Sequence, residues 1–94
     1  MLTRYAVLFP ASARKDLADL PPGIQERVRA FIRRLADDPR PPGTAPLHGP
    51  LSGLLKSRIG AYRVAYRVDD DSRQVRIVAV GHRRDVYERA HRRV

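Results

Sequence analysis

Apolar residues in the first forty positions predict a short strand followed by two helices. The run from Thr3 to Phe9 is rich in strand-forming residues and stops at Pro10, so we predict the first strand there. Ser12 has the side chain of a helix N-cap, and the apolar residues after it recur on one helical face as far as Leu20. A first helix is therefore predicted from Ser12 to about Leu20.

A second helix is predicted after the break at Pro21-Pro22-Gly23. Its apolar residues recur every three or four positions and form one stripe, made of Ile24, Val28, Phe31, Ile32 and Leu35. Asp37-Asp38-Pro39 ends the helix, because the residue before a proline resists the α conformation. Two helices joined by so short a break indicate an αα-hairpin.

The second half of the chain predicts an antiparallel meander of three strands. These run roughly from Gly53 to Ile59, from Tyr62 to Val68 and from Gln74 to Val80. Gly60-Ala61 and the polar segment 69–73 are typical of the connecting turns. Together with the N-terminal strand, the meander predicts a four-stranded sheet packed against the helical hairpin, which is an α+β fold.

Two segments lie outside these elements. Arg40 to Pro50 is rich in proline and glycine and is predicted to be a connecting loop rather than a linker between domains. Asp85 to Arg93 is predicted to be a short C-terminal helix or tail. No repeat, low-complexity tract or composition shift divides the chain, so residues 1–94 are expected to form one domain.

Alternation assigns the two faces of the middle strand. One side holds Tyr62, Val64, Tyr66 and Val68 and is expected to pack on the helices. The open side holds Arg63, Ala65 and Arg67. The tyrosines are expected to be core aromatic residues with a hydroxyl group that reaches a polar partner.

The last strand is apolar on both sides. The residues predicted to face the helices are Val75, Ile77 and Ala79. Val78 and Val80 then fall on the open face beside Arg76, where apolar side chains need cover from the chain's own tail or from a partner.

Charge is the strongest signal in the composition. The chain has 19 lysines and arginines against 10 aspartates and glutamates, a net charge of +9, and Lys15 and Lys56 are its only lysines. Because guanidinium groups match phosphate geometry, an acidic partner is expected, with nucleic acid first and an acidic protein second. The absence of cysteine excludes disulfides and thiolate metal sites, and no apolar stretch is long enough to span a membrane. We therefore expect a cytoplasmic protein.

The open face and the segment after it contain the groups that metal-independent RNA cleavage requires. That reaction needs a base for the 2′-hydroxyl, cations for the phosphorane and an acid for the departing oxygen. The candidates are Lys56, Arg58, Arg63, His82, Arg83, Arg84 and Tyr87. Neighbouring cations are expected to lower the pKa of Tyr87 or Lys56. His48, His82 and His91 have no ligand spacing, so no metal site is predicted.

A simpler interpretation competes at several of these positions. In that interpretation, Arg58 and Arg67 are solvated strand arginines and His82 is a polar surface residue. Arg83 and Tyr87 lie four positions apart, which would place them on one face of a helix.

Two motifs give the chain a family resemblance. The stretch Gly60-Ala61-Tyr62-Arg63-Val64-Ala65-Tyr66 and the stretch Val80-Gly81-His82-Arg83-Arg84-Asp85-Val86-Tyr87 resemble the RelE branch of the RelE/ParE toxin superfamily. The segments 9–17 and 35–39 are similar to the family's opening strand and helix and to the end of its second helix. The resemblance implies a toxin that cuts mRNA in the ribosomal A site, needs no cofactor and is held inactive by a cognate antitoxin.

The resemblance also implies roles for individual residues. Lys56 and Arg63 match the cations at the scissile phosphate, Arg83 matches the arginine assigned to the transition state or the leaving group, and Tyr87 matches the general base. Arg58, His82 and Arg84 are then expected to contact RNA. Leu54 stands where well-studied members have a second lysine, and His82 and Lys56 are alternative bases.

Two other functions remain open. The ParE branch has the same fold and the Tyr-Arg motif but inhibits DNA gyrase without catalysis. A plain nucleic-acid-binding module would use the charge alone. For the antitoxin, the Val78/Val80 patch beside arginine is the predicted docking surface, suited to an amphipathic segment with an acidic rim.

Overall fold

The computed structural model describes residues 4–94, which form helices and a mixed sheet. The helices are α1 (Ala11–Ala18), α2 (Pro22–Leu35) and α3 (Val86–Arg93). The strands are β1 (Ala6–Leu8), β2 (Ala45–Pro46), β3 (Leu55–Ile59), β4 (Tyr62–Asp69) and β5 (Gln74–His82). The predicted α+β fold class, the helical hairpin and the strand meander are confirmed. Position 3, where the first strand was predicted to begin, lies outside the described residues.

The sheet has the strand order β1-β5-β4-β3-β2. β1 pairs in parallel with β5, and the other neighbours are antiparallel. The fifth strand, β2, comes from the segment predicted to be entirely loop, which also contains a 3-10 turn at Gly49–Leu51. Pro46 is accommodated because β2 is an edge strand, where a missing backbone donor leaves no central ladder bond unmade.

Helix α1 begins at Ala11, before the residue that was predicted to cap it. Pro10 precedes the first helical residue, Ala11, and no side chain caps the helix. The prediction of Ser12 as N-cap is wrong, because Ser12 already lies within the first turn and is exposed. The ring of Pro10 restricts its backbone to the extended conformation from which a helix can start.

The main core lies between α1, α2 and one face of the sheet. Val28 and Leu35 of α2 are fully buried against Val64 and Tyr66 of β4. The Tyr66 hydroxyl donates a hydrogen bond of 2.9 Å to the Pro39 carbonyl, which confirms a core tyrosine with a polar contact. Burial raises the pKa of this hydroxyl above its ordinary value. The apolar side of the middle strand was therefore predicted correctly.

A second, smaller core lies on the opposite face, beneath α3. It consists of Leu54, Ala65, Val78, Ala79, Val86 and Ala90. The predicted open face is thus half covered by the chain's own C-terminal helix, which was one of the two expected covers. None of the helices in residues 4–94 is long and apolar enough to cross a membrane.

A β-bulge at Val78 changes the faces of the last strand. Ala65 pairs with Ala79 and Tyr66 pairs with Ile77, so Val78 is an extra residue in β5. Alternation is broken there, and Ala79 faces α3 whereas Val80 is fully buried in the main core. The predicted orientations of Ala79 and Val80 are wrong. The predicted antitoxin patch is wrong too, because Val80 lies in the core and Val78 is only 7% exposed beneath α3.

A buried carboxylate fastens α3 to the rest of the fold. Asp16 of α1 is 6% exposed and accepts two hydrogen bonds from Arg93, at 2.6 and 3.0 Å, and a third from the Val80 amide at 3.0 Å. Arg89 lies 3.4 Å from the same carboxylate and donates to the Val80 carbonyl at 2.7 Å. The hydrogen bonds to Asp16 raise the pKa of Arg93 above its ordinary value. Asp16, Arg89 and Arg93 together form what we call the Asp16 clamp, which holds α3, the helix that carries Tyr87.

Candidate functional site

Three of the predicted cations lie together on the uncovered part of the sheet. Arg58 of β3 pairs directly with Arg63 of β4, and Lys56 pairs with Ala65 in the next position on the same face. Directly opposed side chains have β-carbons about 5 Å apart. The hairpin register therefore concentrates three positive charges in a small area, which we call the cation cluster.

Arg63 is partly prepositioned by the turn beside it. Its Nη1 donates to the carbonyls of Gly60, at 3.0 Å, and Tyr62, at 2.9 Å. A guanidinium has five donors, and these contacts use the two on Nη1. The Nε and Nη2 donors remain available, and they form the planar edge that can hold two oxygens of a phosphate.

Tyr87 lies beside Lys56. The Lys56 Nζ is 5.9 Å from the centroid of the Tyr87 ring, at the outer limit of a cation–π contact. Both side chains are half-buried, and Tyr87 packs against the second core that secures α3. Helix α3 thus brings the predicted base to the predicted charge stabiliser, although they are 31 positions apart in the chain.

The end of β5 and the segment that joins it to α3 bring His82, Arg83 and Arg84 to the same end of the sheet. The Arg83 amide donates to the Ala61 carbonyl at 2.9 Å, which ties the segment to the β3–β4 turn. The side chains of Arg83 and Arg84 are exposed. Because α3 begins only at Val86, Arg83 precedes the helix, and the expectation that it shares a helical face with Tyr87 is wrong.

His82 is held by two contacts. Its ring packs edge-to-face on Tyr62, with centroids 5.7 Å apart, and its Nδ1 accepts a hydrogen bond of 3.2 Å from the Arg84 amide. In a neutral imidazole, an Nδ1 that accepts leaves the proton on Nε2. His82 therefore presents a donor, and this geometry does not favour it as the alternative base.

Leu54 does not belong to the cation cluster. It is 1% exposed and lies in the second core under α3. A lysine at this position would bury its charge among Val86 and Ala90, at a cost that an apolar residue avoids. Lys56 is consequently the one lysine of the cluster.

The cluster is electrostatically unbalanced. Among residues 4–94, the side chains of Lys56, Arg58 and Arg63 have no carboxylate within ion-pair distance, and neither do Arg83 and Arg84. The chain's ion pairs use other arginines, such as Arg40 with Asp70 at 3.0 Å. Opposed like charges destabilise a strand pair, so the arrangement favours the binding of an anion.

The site lies at the protein surface, where Arg58, Arg83 and Arg84 are exposed and Lys56 and Arg63 are half-buried. A cavity of about 400 Å³ does exist, but it lies at the other end of the sheet and none of the cluster's side chains line it. Within the described part of the chain, no three His, Cys, Asp or Glu side chains come together in a group that could hold a metal ion.

The supporting residues were not found from the sequence. Arg89 and Arg93 lie four apart and so share one face of α3, which is a signal of a common partner. That partner, Asp16, lies 77 positions before Arg93 and has no local pattern to announce it. Similarly, only the strand register shows that Arg58 is opposite Arg63.

The fold and the cation cluster define a small basic α+β protein with unpaired positive charge on one face of its sheet. The family model for the ParE toxin of type II toxin–antitoxin systems matches residues 7–87. Toxin RelG of Mycobacterium tuberculosis is 42% identical over 86 residues, which cover 90% of this chain and 98% of RelG.

Solved structures agree with this relationship. A chain of the toxin–antitoxin complex RelBE2 from Mycobacterium tuberculosis is 40% identical, with a TM-score of 0.75, and the match covers 85% of this chain and 99% of that one. A chain of the archaeal RelE–RelB complex from Pyrococcus horikoshii is 28% identical, with a TM-score of 0.74, and the match covers 85% and 96%. The chain belongs to the RelE/ParE family of type II toxin–antitoxin toxins, as its two motifs predicted.

Proposed function

We propose that this toxin is a ribosome-dependent endoribonuclease that cuts mRNA in the A site without a metal ion. The observation that carries the proposal is the cation cluster with Tyr87 beside it. Three cations without carboxylate partners in the described chain would offset the negative charge of a phosphorane, and the Tyr87 ring lies 5.9 Å from the Lys56 Nζ. Gyrase inhibition without catalysis would not require this combination.

The proposed chemistry is transesterification. The Tyr87 oxygen, as the phenolate, takes the proton of the 2′-hydroxyl, the 2′ oxygen bonds to phosphorus and the bond from phosphorus to the 5′ oxygen breaks. A water molecule gives a proton to the departing 5′ oxygen, so the products are a 2′,3′-cyclic phosphate and a 5′-hydroxyl. The free edge of Arg63 and the ammonium of Lys56 stabilise the phosphorane, and Arg83 stabilises the departing oxygen.

The remaining cations have a binding role in this proposal. Arg58 and Arg84 are exposed and would contact neighbouring phosphates of the RNA, and His82 would donate a hydrogen bond through Nε2. Loss of such a contact is expected to weaken binding and to make it less sensitive to salt, without a direct effect on the chemical step.

The openness of the site supports dependence on the ribosome. Charge stabilisation is strongest where water is excluded, and an open sheet surface does not exclude it. A site of this kind becomes enclosed only when a large partner covers it. The ribosome would supply both the cover and the fixed position of the mRNA.

An antitoxin partner is part of the proposal. The relatives RelBE2 and the archaeal RelE–RelB pair were solved as toxin–antitoxin complexes. The net charge of +9 suits an acidic inhibitor that competes with RNA for this surface.

In the test, purified toxin is added to ribosomes programmed with an mRNA, and primer extension maps the positions at which the mRNA is cut. We expect A-site cuts with wild type and a loss of about 10²–10³-fold in rate for Arg63→Ala, the size associated with removal of one transition-state donor. Arg33→Ala, an exposed arginine on α2, is the matched control and should cut normally. Absence of cuts with folded wild-type protein would refute the proposal. Gyrase-dependent DNA cleavage complexes would then support the ParE-type alternative, which the family model's name favours.

A further inference from the structure

A second pair of arginines lies on the same face of the sheet as the cation cluster, at the opposite end. Arg67 of β4 pairs directly with Arg76 of β5, and both side chains are exposed. Among residues 4–94, neither has a carboxylate partner. Two like charges held opposite one another cost stability, and no ion pair within residues 4–94 compensates them.

Helix α3 separates this pair from the cation cluster. The helix packs on Ala65, which lies between Arg63 and Arg67 in β4. Four residues of strand put these two arginines about 13 Å apart. The second pair is therefore a separate anion-attracting surface.

The second pair opens onto a cavity with apolar walls. The cavity has a volume of about 400 Å³, and Pro10, Val78 and Val94 line it together with the two arginines. Val94 is 56% exposed, which makes it a large apolar side chain in water beside two unpaired charges. Arg93 also reaches the cavity, but Asp16 already holds its guanidinium. The surface thus offers two free guanidinium groups and an apolar wall.

We infer that the Arg67/Arg76 cavity receives a carboxylate-bearing, partly apolar segment of the protein partner, in practice the antitoxin. The inference rests on the antitoxin partnership proposed above and adds its docking chemistry. An acidic side chain would pair with the forked donors while an adjacent apolar side chain covers Val94 and Val78. The structure favours this occupant over RNA, because no aromatic side chain lines the cavity to stack a base.

The partner would thereby hold the toxin at a point outside the cation cluster. Contacts here can contribute affinity and selectivity without touching any group that the RNA needs. This docking surface differs from the apolar patch expected from the sequence. The bulge and α3 bury Val80 and Val78, so that patch is absent and only the arginines next to it remain exposed.

The experiment compares two double variants that remove the same charge. Arg67→Ala/Arg76→Ala removes the second pair, and Arg27→Ala/Arg33→Ala removes two exposed arginines of α2. The cognate antitoxin proposed above, as purified protein, is titrated into each toxin at 50 and 200 mM salt. Ribosomal cleavage of mRNA is measured on the same preparations. Melting curves confirm folding, and loss of the opposed charges should leave the melting temperature unchanged or higher.

The inference predicts a specific loss of antitoxin affinity. We expect Arg67→Ala/Arg76→Ala to bind the antitoxin about 10–100-fold more weakly, the scale of two interfacial charge contacts, and to cleave RNA as well as wild type. The control should change affinity less than about 3-fold. Equal weakening in both variants would overturn the inference, because it would reflect net charge alone.

Two further outcomes would also decide the matter. Reduced cleavage with unchanged antitoxin affinity would overturn the inference and assign the pair to RNA. Failure of the wild type to bind the antitoxin would overturn both the partnership and the inference. If wild type binds the antitoxin but cuts no RNA, the nuclease proposal fails, and the affinity comparison between the two double variants still decides the docking site.

Discussion

Removal of the Asp16 carboxylate is the sharpest test of how this fold holds its functional helix. The clamp joins α1 to α3 through one buried carboxylate and two arginines. In Asp16→Ala, Arg93 loses both of its short hydrogen bonds to that carboxylate, and the Val80 amide loses its acceptor. The apolar contacts under α3 would remain.

The expected loss follows from the exposure of the groups left behind. Removal of one partner from a fully buried ion pair costs about 3–5 kcal/mol. The side chains of Arg93 and Arg89 are 26% and 29% exposed, so water can reach them and the lower end applies. We therefore expect a loss of about 2–4 kcal/mol in the free energy of unfolding. For a domain of this size, the melting temperature should fall by roughly 10–30 °C.

The assay is thermal and urea unfolding followed by circular dichroism. Glu88→Ala is the matched control, because Glu88 pairs with Arg92 on the same helix at 3.2 Å but both side chains are at least 65% exposed. Such a pair contributes less than about 1 kcal/mol. A double-mutant cycle between Asp16→Ala and Arg93→Ala should show a coupling of about 1–3 kcal/mol.

The reasoning would be refuted if Asp16→Ala were no more destabilising than Glu88→Ala. That outcome would mean that apolar packing alone holds α3 in place. If the clamp holds α3 as described, Asp16→Ala should also slow RNA cleavage, because a looser α3 no longer positions Tyr87 beside Lys56.

Three further predictions concern single positions. Tyr87→Phe keeps the ring and removes the hydroxyl, so single-turnover cleavage on programmed ribosomes should fall by about 10²–10⁴-fold with an unchanged melting temperature, and undiminished cleavage would exclude it as the base. Gly81→Ala should destabilise the protein by about 1 kcal/mol in urea unfolding, because the new β-carbon would lie 2.8 Å from the Arg89 Nη1 and disturb its hydrogen bonds. The hydrogen bonds from Arg40 hold the pKa of Asp70 in the folded protein below its ordinary value of 3.8. The stability that ionised Asp70 contributes is therefore present above pH 3.8 and is lost as the pH falls through the lower pKa of the folded state. Asp70→Asn should therefore show a shallower loss of stability in acid than wild type.

Local patterns in the sequence predicted most of the secondary structure and one side of the site. Strand alternation from Tyr62 to Val68 correctly placed Arg63 away from the helices, because β4 follows a period of two throughout this stretch. The stripe along α2 identified residues that are buried, such as Val28 and Leu35. These inferences depend only on residues close together in the chain.

The predictions failed where two distant segments decide the outcome. The bulge at Val78 arises in the register between β4 and β5, and it reversed the faces assigned to Ala79 and Val80. The two-residue β2 exists only because β3 offers it an edge. Neither feature has a signature within its own strand.

The sequence by itself determined the family, the basic charge, the helices and all strands of the described chain except β2, because periodicity, breakers and motifs are local and can be read one segment at a time. Only the tertiary structure decided which cations lie together, that Leu54 supports α3 instead of joining the cluster, and that Asp16 holds the helix carrying Tyr87. These facts depend on strand register and on contacts between residues far apart in the chain. Such contacts are stabilised by the packing of the whole fold, so no local sequence pattern predicts them.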